Sequence, residues 1–384
     1  MIYLDNCATT KPRKEVVDIM QKSMIEDFGN PSSLHRLGMK SEQKIKIARE
    51  HIANALNVNI NEIYFTSGGT ESNNIAIQSI ISKFGKRGKH IITTKIEHPS
   101  VLNIMKNYEQ QGFDITYLNV DNQGYISLKE LENSIRNDTI LVSIMHVNNE
   151  IGSIQPIFKI KDIIKKVNPN TLFHVDGIQG FGKVELALKK WEIDCYSFSG
   201  HKVYGPKGIG GLFIDKKLIL NPLIFGGNQE KGLRSGTENL TGIIGFGEAV
   251  KIMSENHKIE IENIRELKEY FAQKIEEEIP YIRFNTSLDE NSSPYIINIS
   301  FNHVRGEVLL HYLEDKEIYV STTSACSSKG TEKSHVLKSI GLKNEEIEGS
   351  IRFCFSYEIT KEDLDYTVKV LKESVADIRQ ITMR

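Results

Sequence analysis

Lys202 stands where amine chemistry is expected. The run from Asp194 to Phe198 reads as a strand and stops at Ser199, Gly200, His201 and Lys202, and glycines and a proline follow in SFSGHKVYGPKGIG. That pattern puts Lys202 on a tight, glycine-lined turn at the end of a buried strand. Upstream, TLFHVDGIQ sets Asp176 at the end of another apolar strand, with Gln179 close behind it. A neutral lysine condenses with aldehydes, and a buried acid can hold a pyridine nitrogen protonated. Those are the two demands that pyridoxal 5'-phosphate makes of its protein. Lysines at strand ends are commonly solvated and acids there commonly cap turns. The pairing favours the cofactor reading, because the carboxyl ends of neighbouring parallel strands share one crevice.

Other residues fit the same ligand. FTSGGTESNN is a strand, a glycine turn and a helix start. Gly69 and Thr70 there offer backbone N–H groups and a hydroxyl to an anion at the positive end of a helix. Alone, the stretch also reads as an ordinary capped turn; with Ser199 and His201 as further donors it becomes a phosphate cup. His98, in IEHPS, is either a turn residue or a flat ring that stacks on the cofactor and moves protons at neutral pH. Asn148 and Asn149, in VNNEIG, are amides for a ring hydroxyl or the substrate. Cys326 lies among small hydroxylated residues in TTSACSSKG, a loop composition, and a cysteine exposed in a reducing cell is a candidate nucleophile. Cys7, Cys195 and Cys354 read as buried fillers. Cys354 alternates onto the same strand face as Arg352, whose guanidinium is a fork for a carboxylate.

The elements that must position these groups follow from the apolar pattern. EIYFTS, HIITTKIE, DITYLNV, ILVSIMHV, TLFHVD, DCYSFS and GGLFID read as strands with helices between several of them, from about residue 60 to 250. The expected fold class is therefore α/β, a mostly parallel sheet flanked by helices. Ile45, Ala48, Ile52 and Ala55 share one predicted helical face. Beyond about residue 255 a charged helix leads to a strand pair, YIINISF and SIRFCFS, and to a last helix beginning at Thr360 with Asp363 at the capping-box position. Leu364, Val368, Leu371, Val375 and Ile378 mark its core stripe. The expected division is a large domain over 16–255 and a smaller α+β domain built from 1–15 and 256–384.

The 384 residues are enough for two domains. With 39 % hydrophobic and 26 % charged residues they have the composition of a soluble protein, and a net charge of −2 argues against a direct nucleic-acid footprint. A polar motif begins at Asp5, leaving no room for a signal peptide, and no apolar run approaches membrane-spanning length. The four cysteines form no CxxC pair, so neither structural zinc nor a disulfide framework is expected, and a reducing cytoplasm fits.

YLDNCATT, FGNPSSLHRLG, SGGTESNN, EHPS, VNNEIG, HVDGIQ, SFSGHKVYGPKGIG, GLRSGT, TSACSS and SIRF occur in that order over nearly the whole chain. As a set they resemble the cysteine desulfurases of the NifS/IscS type, class V, fold-type I pyridoxal-phosphate enzymes. The resemblance implies Lys202 as the imine-forming lysine, Asp176 as the pyridinium partner and His98 as the ring-stacking proton carrier. It implies Gly69, Thr70, Ser199 and His201 as the phosphate cup, and Gln179 and Asn149 as cofactor or substrate contacts. It implies Thr237 as a phosphate contact from the neighbouring subunit of a homodimer, Arg352 as the substrate-carboxylate arginine, and Cys326 as the persulfide-forming cysteine, on a loop of about residues 322–335. The implied reaction turns L-cysteine into L-alanine and passes the sulfur to acceptor proteins. STTSAC stands where the iron–sulfur housekeeping members commonly have SSGSAC, and their extended tail is not in this sequence. Iron–sulfur assembly, tRNA thiolation and thiamine synthesis therefore all remain open as outlets. A selenocysteine lyase would be separated by its substrate, a plain aminotransferase by indifference to loss of Cys326, and a scaffold protein by failure to bind the cofactor.

Overall fold

The computed structural model describes residues 1–322 and 333–382. Cys326 lies outside the described residues. In chain order the strands are β1 (Ile2–Tyr3), β2 (Ile63–Thr66), β3 (His90–Thr94), β4 (Asp114–Leu118), β5 (Thr139–Met145), β6 (Leu172–Asp176), β7 (Cys195–Ser199), β8 (Gly210–Ile214), β9 (Ile282–Phe284), β10 (Ile296–Phe301), β11 (Ile318–Tyr319), β12 (Ser321–Thr322) and β13 (Ser350–Cys354).

Strands β2 to β8 form one sheet in the order β2-β8-β7-β6-β5-β3-β4. Strand β8 runs antiparallel to both neighbours, and the other pairings are parallel. Each apolar run read as a strand of this sheet is one. The residues of β3, β5, β6, β7 and β8 are buried nearly end to end, as strands covered on both faces require, while the edge strand β4 is only partly buried. Phe65, Ile92, Val142, Phe173 and Phe213 pack into a core on one face. Ile91, Leu141, Cys195 and Leu212 pack with the helix Gly69–Phe84 on the other.

The helix Arg36–Leu56 buries Ile45, Ala48, Ile52 and Leu56 against the first of these cores, while Ala55 points outward. Leu56 wins the place expected for Ala55 because it has more apolar surface to remove from water, about 1.5–3 kcal/mol for a full leucine side chain.

The helix Leu240–Glu278 is continuous. Ile243, Phe246 and Val250 near its start join the core of the large sheet. Ile264, Phe271 and Ile275 further on join a second core. That core also holds Leu4, the inner faces of β10 and β13, and the expected stripe Leu364, Val368, Leu371, Val375 and Ile378 of the helix Lys361–Thr382. The antiparallel sheet here has the order β12-β13-β10-β9, and β1 pairs with β11 beside it. The capping box at the last helix is formed: the Thr360 N–H donates to Asp363 Oδ2 (3.0 Å) and the Asp363 N–H donates to Thr360 Oγ1 (3.2 Å).

Candidate active site

Because β8 alone is reversed, the carboxyl ends of β2, β3, β5, β6 and β7 open on one edge of the large sheet. A cavity of about 290 Å³ lies there. Gly69, Thr70, Ser199 and His201 line it, as do Asp176, His98 and Lys202. Gln179, Asn149 and Arg352 complete the sequence-derived residues it brings together.

At one end the helix Gly69–Phe84 starts directly after β2. Its N-cap, Gly68, offers no side chain to the first N–H groups, so they remain donors for a ligand. A Cβ on Gly69 would come within 2.6 Å of the Ile178 side chain, so a larger residue there would force that side chain to move. Ser199 Oγ is buried and has no hydrogen-bond partner among the described residues. His201 Nδ1 lies 3.2 Å from Thr9 Oγ1, and burial, reinforced by Lys202, lowers its pKa to about 4, so the ring is neutral. An uncapped helix start, a buried hydroxyl lacking an acceptor and a neutral imidazole are the donor set of an anion site.

Asp176 ends β6 with only 4 % of its surface exposed. The Ile178 N–H donates to Oδ1 (3.1 Å) and Asn73 Nδ2 donates to Oδ2 (2.8 Å). Gly177 makes the turn possible, since a Cβ there would lie 1.9 Å from the Tyr196 ring. Burial pushes the Asp176 carboxyl up, against the pull of His98 and its two hydrogen bonds. His98 answers to both readings made of it. It is the N-cap of the helix Pro99–Gln110, its Nδ1 accepting from the Ser100 N–H (3.1 Å), and it lines the cavity. Burial lowers its pKa, and the hydrogen bond assigns the proton of the neutral ring to Nε2.

Lys202 Nζ donates to the carbonyls of Cys7 (2.5 Å) and Ala8 (2.8 Å). Burial, and next the charge of Lys183, lowers its pKa to about 8. Gln179 is held at both ends: Nε2 donates to the Cys7 carbonyl (2.9 Å) and Oε1 accepts from Lys183 Nζ (3.1 Å). Arg352 on β13 donates through Nη1 to the Asn149 carbonyl (2.8 Å) and through Nη2 to Asp5 (2.9 Å). Its Nε is buried without a partner among the described residues. Ser321 sits opposite Arg352 in the β12–β13 register, and on the far side of residues 323–332 Ser334 Oγ donates to Glu150 Oε2 (2.5 Å).

Several expectations change. Asn148 is structural: its Oδ1 accepts from the Glu150 and Ile151 N–H groups and its Nδ2 donates to the Ile96 carbonyl (3.1 Å), so Asn149 alone reaches the cavity. Thr237 is exposed and does not line this cavity, which leaves its expected role at a neighbouring subunit's site as it was. Cys7, read as filler, is a wall residue. Asn73 and Lys183 were missed, although Asn73 lies one helical turn after Gly69 and Lys183 one turn after Gln179, spacings that return a side chain to the same side.

The chemistry of the site fits pyridoxal phosphate: a lysine of lowered pKa, a buried acid and an orphaned hydroxyl beside a helix start share one cavity. The family model for class-V aminotransferases matches residues 2–367. A cysteine desulfurase IscS of Dictyoglomus turgidum is 45 % identical over 381 residues, covering 99 % of this chain and 96 % of the relative. A solved NifS-like protein matches with a TM-score of 0.92 at 39 % identity, covering 98 % of this chain and 99 % of the other. A structure of SspA in complex with cysteine matches with a TM-score of 0.82 at 36 % identity, covering 94 % of this chain and 100 % of the other. The chain belongs to the class-V aminotransferase family, among its pyridoxal-phosphate-dependent cysteine desulfurases.

Proposed function

We propose that the chain takes the sulfur of L-cysteine onto Cys326 as a persulfide, releases L-alanine and hands the sulfur to acceptor proteins. The observation that carries this reading is the single cavity in which Lys202, Asp176, His98, Ser199 and Arg352 converge. Gly69, Thr70, Ser199 and His201 would hold the phosphate of the cofactor, and Asp176 its ring nitrogen. A protonated nitrogen there would offset the burial that raises this carboxyl. Gln179 and Asn149 would supply amides to cofactor or substrate. When bound, pyridoxal phosphate supplies the electron sink for charge developing at the substrate α-carbon.

The protein's own steps are these. Arg352 orients the substrate carboxylate, with its unpartnered Nε as a donor in reserve. Lys202, whose pKa near 8 leaves part of it neutral at physiological pH, takes the α-proton at Nζ. His98 carries a proton at Nε2. The Cys326 thiolate attacks the substrate sulfur: an S–S bond forms, the C–S bond breaks, and the carbon skeleton is protonated to alanine. Cysteine plus thiol thus becomes alanine plus persulfide, with no external oxidant. In the sequence Cys326 follows Thr322 by four residues, and the strand that Thr322 ends pairs with β13 at Arg352 and Ile351.

Thr237 would act from a second copy of the chain, completing its phosphate site. A homodimer is supported by the exposure of Phe28 (74 %), Leu34 (96 %) and Phe225 (82 %), large apolar side chains within or close in sequence to the segments 31–49 and 227–231 that line a groove. The two cores support a division into a unit of 16–255 and a smaller one of 1–15 and 256–384. Among the described residues no helix is long and apolar enough to cross a membrane. The free thiols Cys7, Cys195 and Cys354 support a reducing cytoplasm. The sulfur would serve iron–sulfur cluster assembly, tRNA thiolation or thiamine synthesis.

The deciding experiment is mass analysis of the cofactor-loaded protein after L-cysteine. One sulfur should be added to the peptide carrying Cys326, and Lys202→Ala should abolish the addition. Sulfur accumulating on another cysteine, or alanine formed at full rate by Cys326→Ser, would overturn the assignment.

A further inference from the structure

Behind the cavity wall the chain places two thiols and a lysine whose chemistry the desulfurase reading does not use. Cys7 follows β1 in a tight turn closed by the Ala8 N–H donating to the Asp5 carbonyl (3.0 Å). Cys354 ends β13. The Cys354 N–H donates to the Leu4 carbonyl (2.6 Å), Asn6 Nδ2 donates to the Cys354 carbonyl (3.0 Å), and Asp5 bridges to Cys354. These bonds bring residues from opposite ends of the sequence side by side, and the Cys7 and Cys354 thiols act on each other's titration. Both are buried, but Cys7 forms part of the cavity lining, which gives a small solute a way in.

Lys183 is 4 % exposed, donates to Gln179, and has its Nζ 5.4 Å from the centroid of the Tyr295 ring. Burial lowers the pKa of Lys183, and the thiols of Cys7 and Cys354 oppose that shift by favouring its charged form. Burial alone would raise the Cys7 thiol; the hydrogen bond from Cys354 and the charges of Lys183, Arg352 and Lys202 outweigh it and draw it below the usual thiol range. Cys195 supplies the contrast within the same chain. It is equally buried but has Asp194 and Asp215 for charged neighbours, and its thiol is held well above the ordinary value.

We propose that Cys7 and Cys354 are a peroxide-reactive pair, Cys7 the attacking thiolate and Cys354 the resolving thiol. The Cys7 thiolate attacks the peroxide: an S–O bond forms, the O–O bond breaks, and the departing oxygen leaves as an alcohol, or as water from hydrogen peroxide, after taking a proton. The Cys354 sulfur then attacks the sulfenic acid: an S–S bond forms, the S–O bond breaks, and hydroxide leaves with the Cys354 proton as water. Each sulfur gives up one electron and the peroxide takes two. The disulfide ties the N-terminal segment to β13 two residues from Arg352. It also removes an anion from among three cations and constrains Cys7, whose carbonyl accepts from Lys202 and Gln179. Oxidation therefore bears directly on the lysine of the active site, and a dithiol reverses it.

The test is to expose the cofactor-loaded protein to hydrogen peroxide, alkylate the remaining thiols after denaturation, and map the peptides by mass. A dithiothreitol-sensitive link between the Cys7 and Cys354 peptides is expected, with Cys7 losing alkylation at least about tenfold faster than Cys195. The link should persist in Cys326→Ser. In Cys354→Ser it should vanish, and Cys7 should instead be trapped by dimedone as a sulfenic acid. The proposal is overturned if Cys7 pairs with Cys326, if Cys7 is oxidised no faster than Cys195, or if Cys354→Ser, with an unchanged circular dichroism spectrum, yields no dimedone adduct at Cys7.

Discussion

On β5, β6 and β7, Ser143, His174 and Ser197 lie two residues before Met145, Asp176 and Ser199, so the two sets share one face of the sheet. The inner set satisfies itself. His174 Nδ1 lies 2.9 Å from Ser143 Oγ, and Nε2 lies 3.0 Å from Ser197 Oγ. Burial lowers the pKa of this histidine to about 3, which leaves it neutral, with one nitrogen to donate and one to accept. The outer set does not close on itself. Asp176 draws its donors from Asn73 and the Ile178 N–H, Ser199 Oγ has no partner among the described residues, and Met145 faces the cavity. Burial of polar groups is thus common to both layers and distinguishes neither. What marks the outer layer as a site is hydrogen-bonding capacity left open toward a space large enough for a ligand.

The comparison predicts opposite phenotypes for the two layers. The largest effect should come from the outer edge: Lys202→Ala is expected to lower cysteine turnover by about 10³-fold or more, because among the described residues no other group lining the cavity supplies a neutral amine. Borohydride treatment of the loaded wild type should fix the cofactor on the peptide carrying Lys202 and leave the variant unlabelled. In the inner layer, His174→Leu strands two buried hydroxyls, costing about 2–5 kcal/mol in urea unfolding. Turnover per folded molecule should stay within about twofold of wild type. A collapse of turnover in the folded variant would show that the inner layer belongs to the site after all.

The same histidine predicts an acid response. Its folded pKa is about 3 against 6.5 for the free side chain, so as pH falls the unfolded chain binds the proton first. The stability tied to its neutral form is complete above pH 6.5 and is lost as the pH drops through 3, up to about 5 kcal/mol in all. In His174→Leu the slope of unfolding free energy against pH between 6 and 4 should be shallower by about one proton. An unchanged slope would assign the acid sensitivity to other groups, of which His146, buried and lowered to about 4, is the first to examine.

The strands were legible in the sequence because each is an apolar run closed by turn residues, and burial on both faces admits little else. Lys202, Asp176 and Ser199 were legible for a related reason: polar residues placed where an apolar strand stops must face the crevice at its end. Contacts between distant parts of the chain were not. Cys7 meets Lys202 across 195 positions and Arg352 meets Asp5 across 347, and no local spacing announces either. Asn148 and Asn149 show the limit at short range. Adjacent amides of the same chemistry point to opposite duties, one folding back on its own turn and the other lining the cavity. Cys326 as a nucleophile and Arg352 as a carboxylate fork were legible from the residues, but the persulfide, the substrate carboxylate and the whole role of Thr237 came from the resemblance.

Ser199→Ala is the finest probe, since it should improve one property while harming another. Removing a buried hydroxyl that has no partner relieves the cost of its lost hydration, so the cofactor-free protein should be as stable as wild type or more stable by about 1 kcal/mol. The same change takes one donor from the phosphate end, so the dissociation constant for pyridoxal phosphate should rise about tenfold. Thermal melts of the cofactor-free protein and a spectrophotometric titration with pyridoxal phosphate measure the two separately. A lower melting temperature without cofactor would mean that the hydroxyl is already satisfied within the protein. The outer layer would then resemble the inner one, and the contrast between them would lose its physical basis.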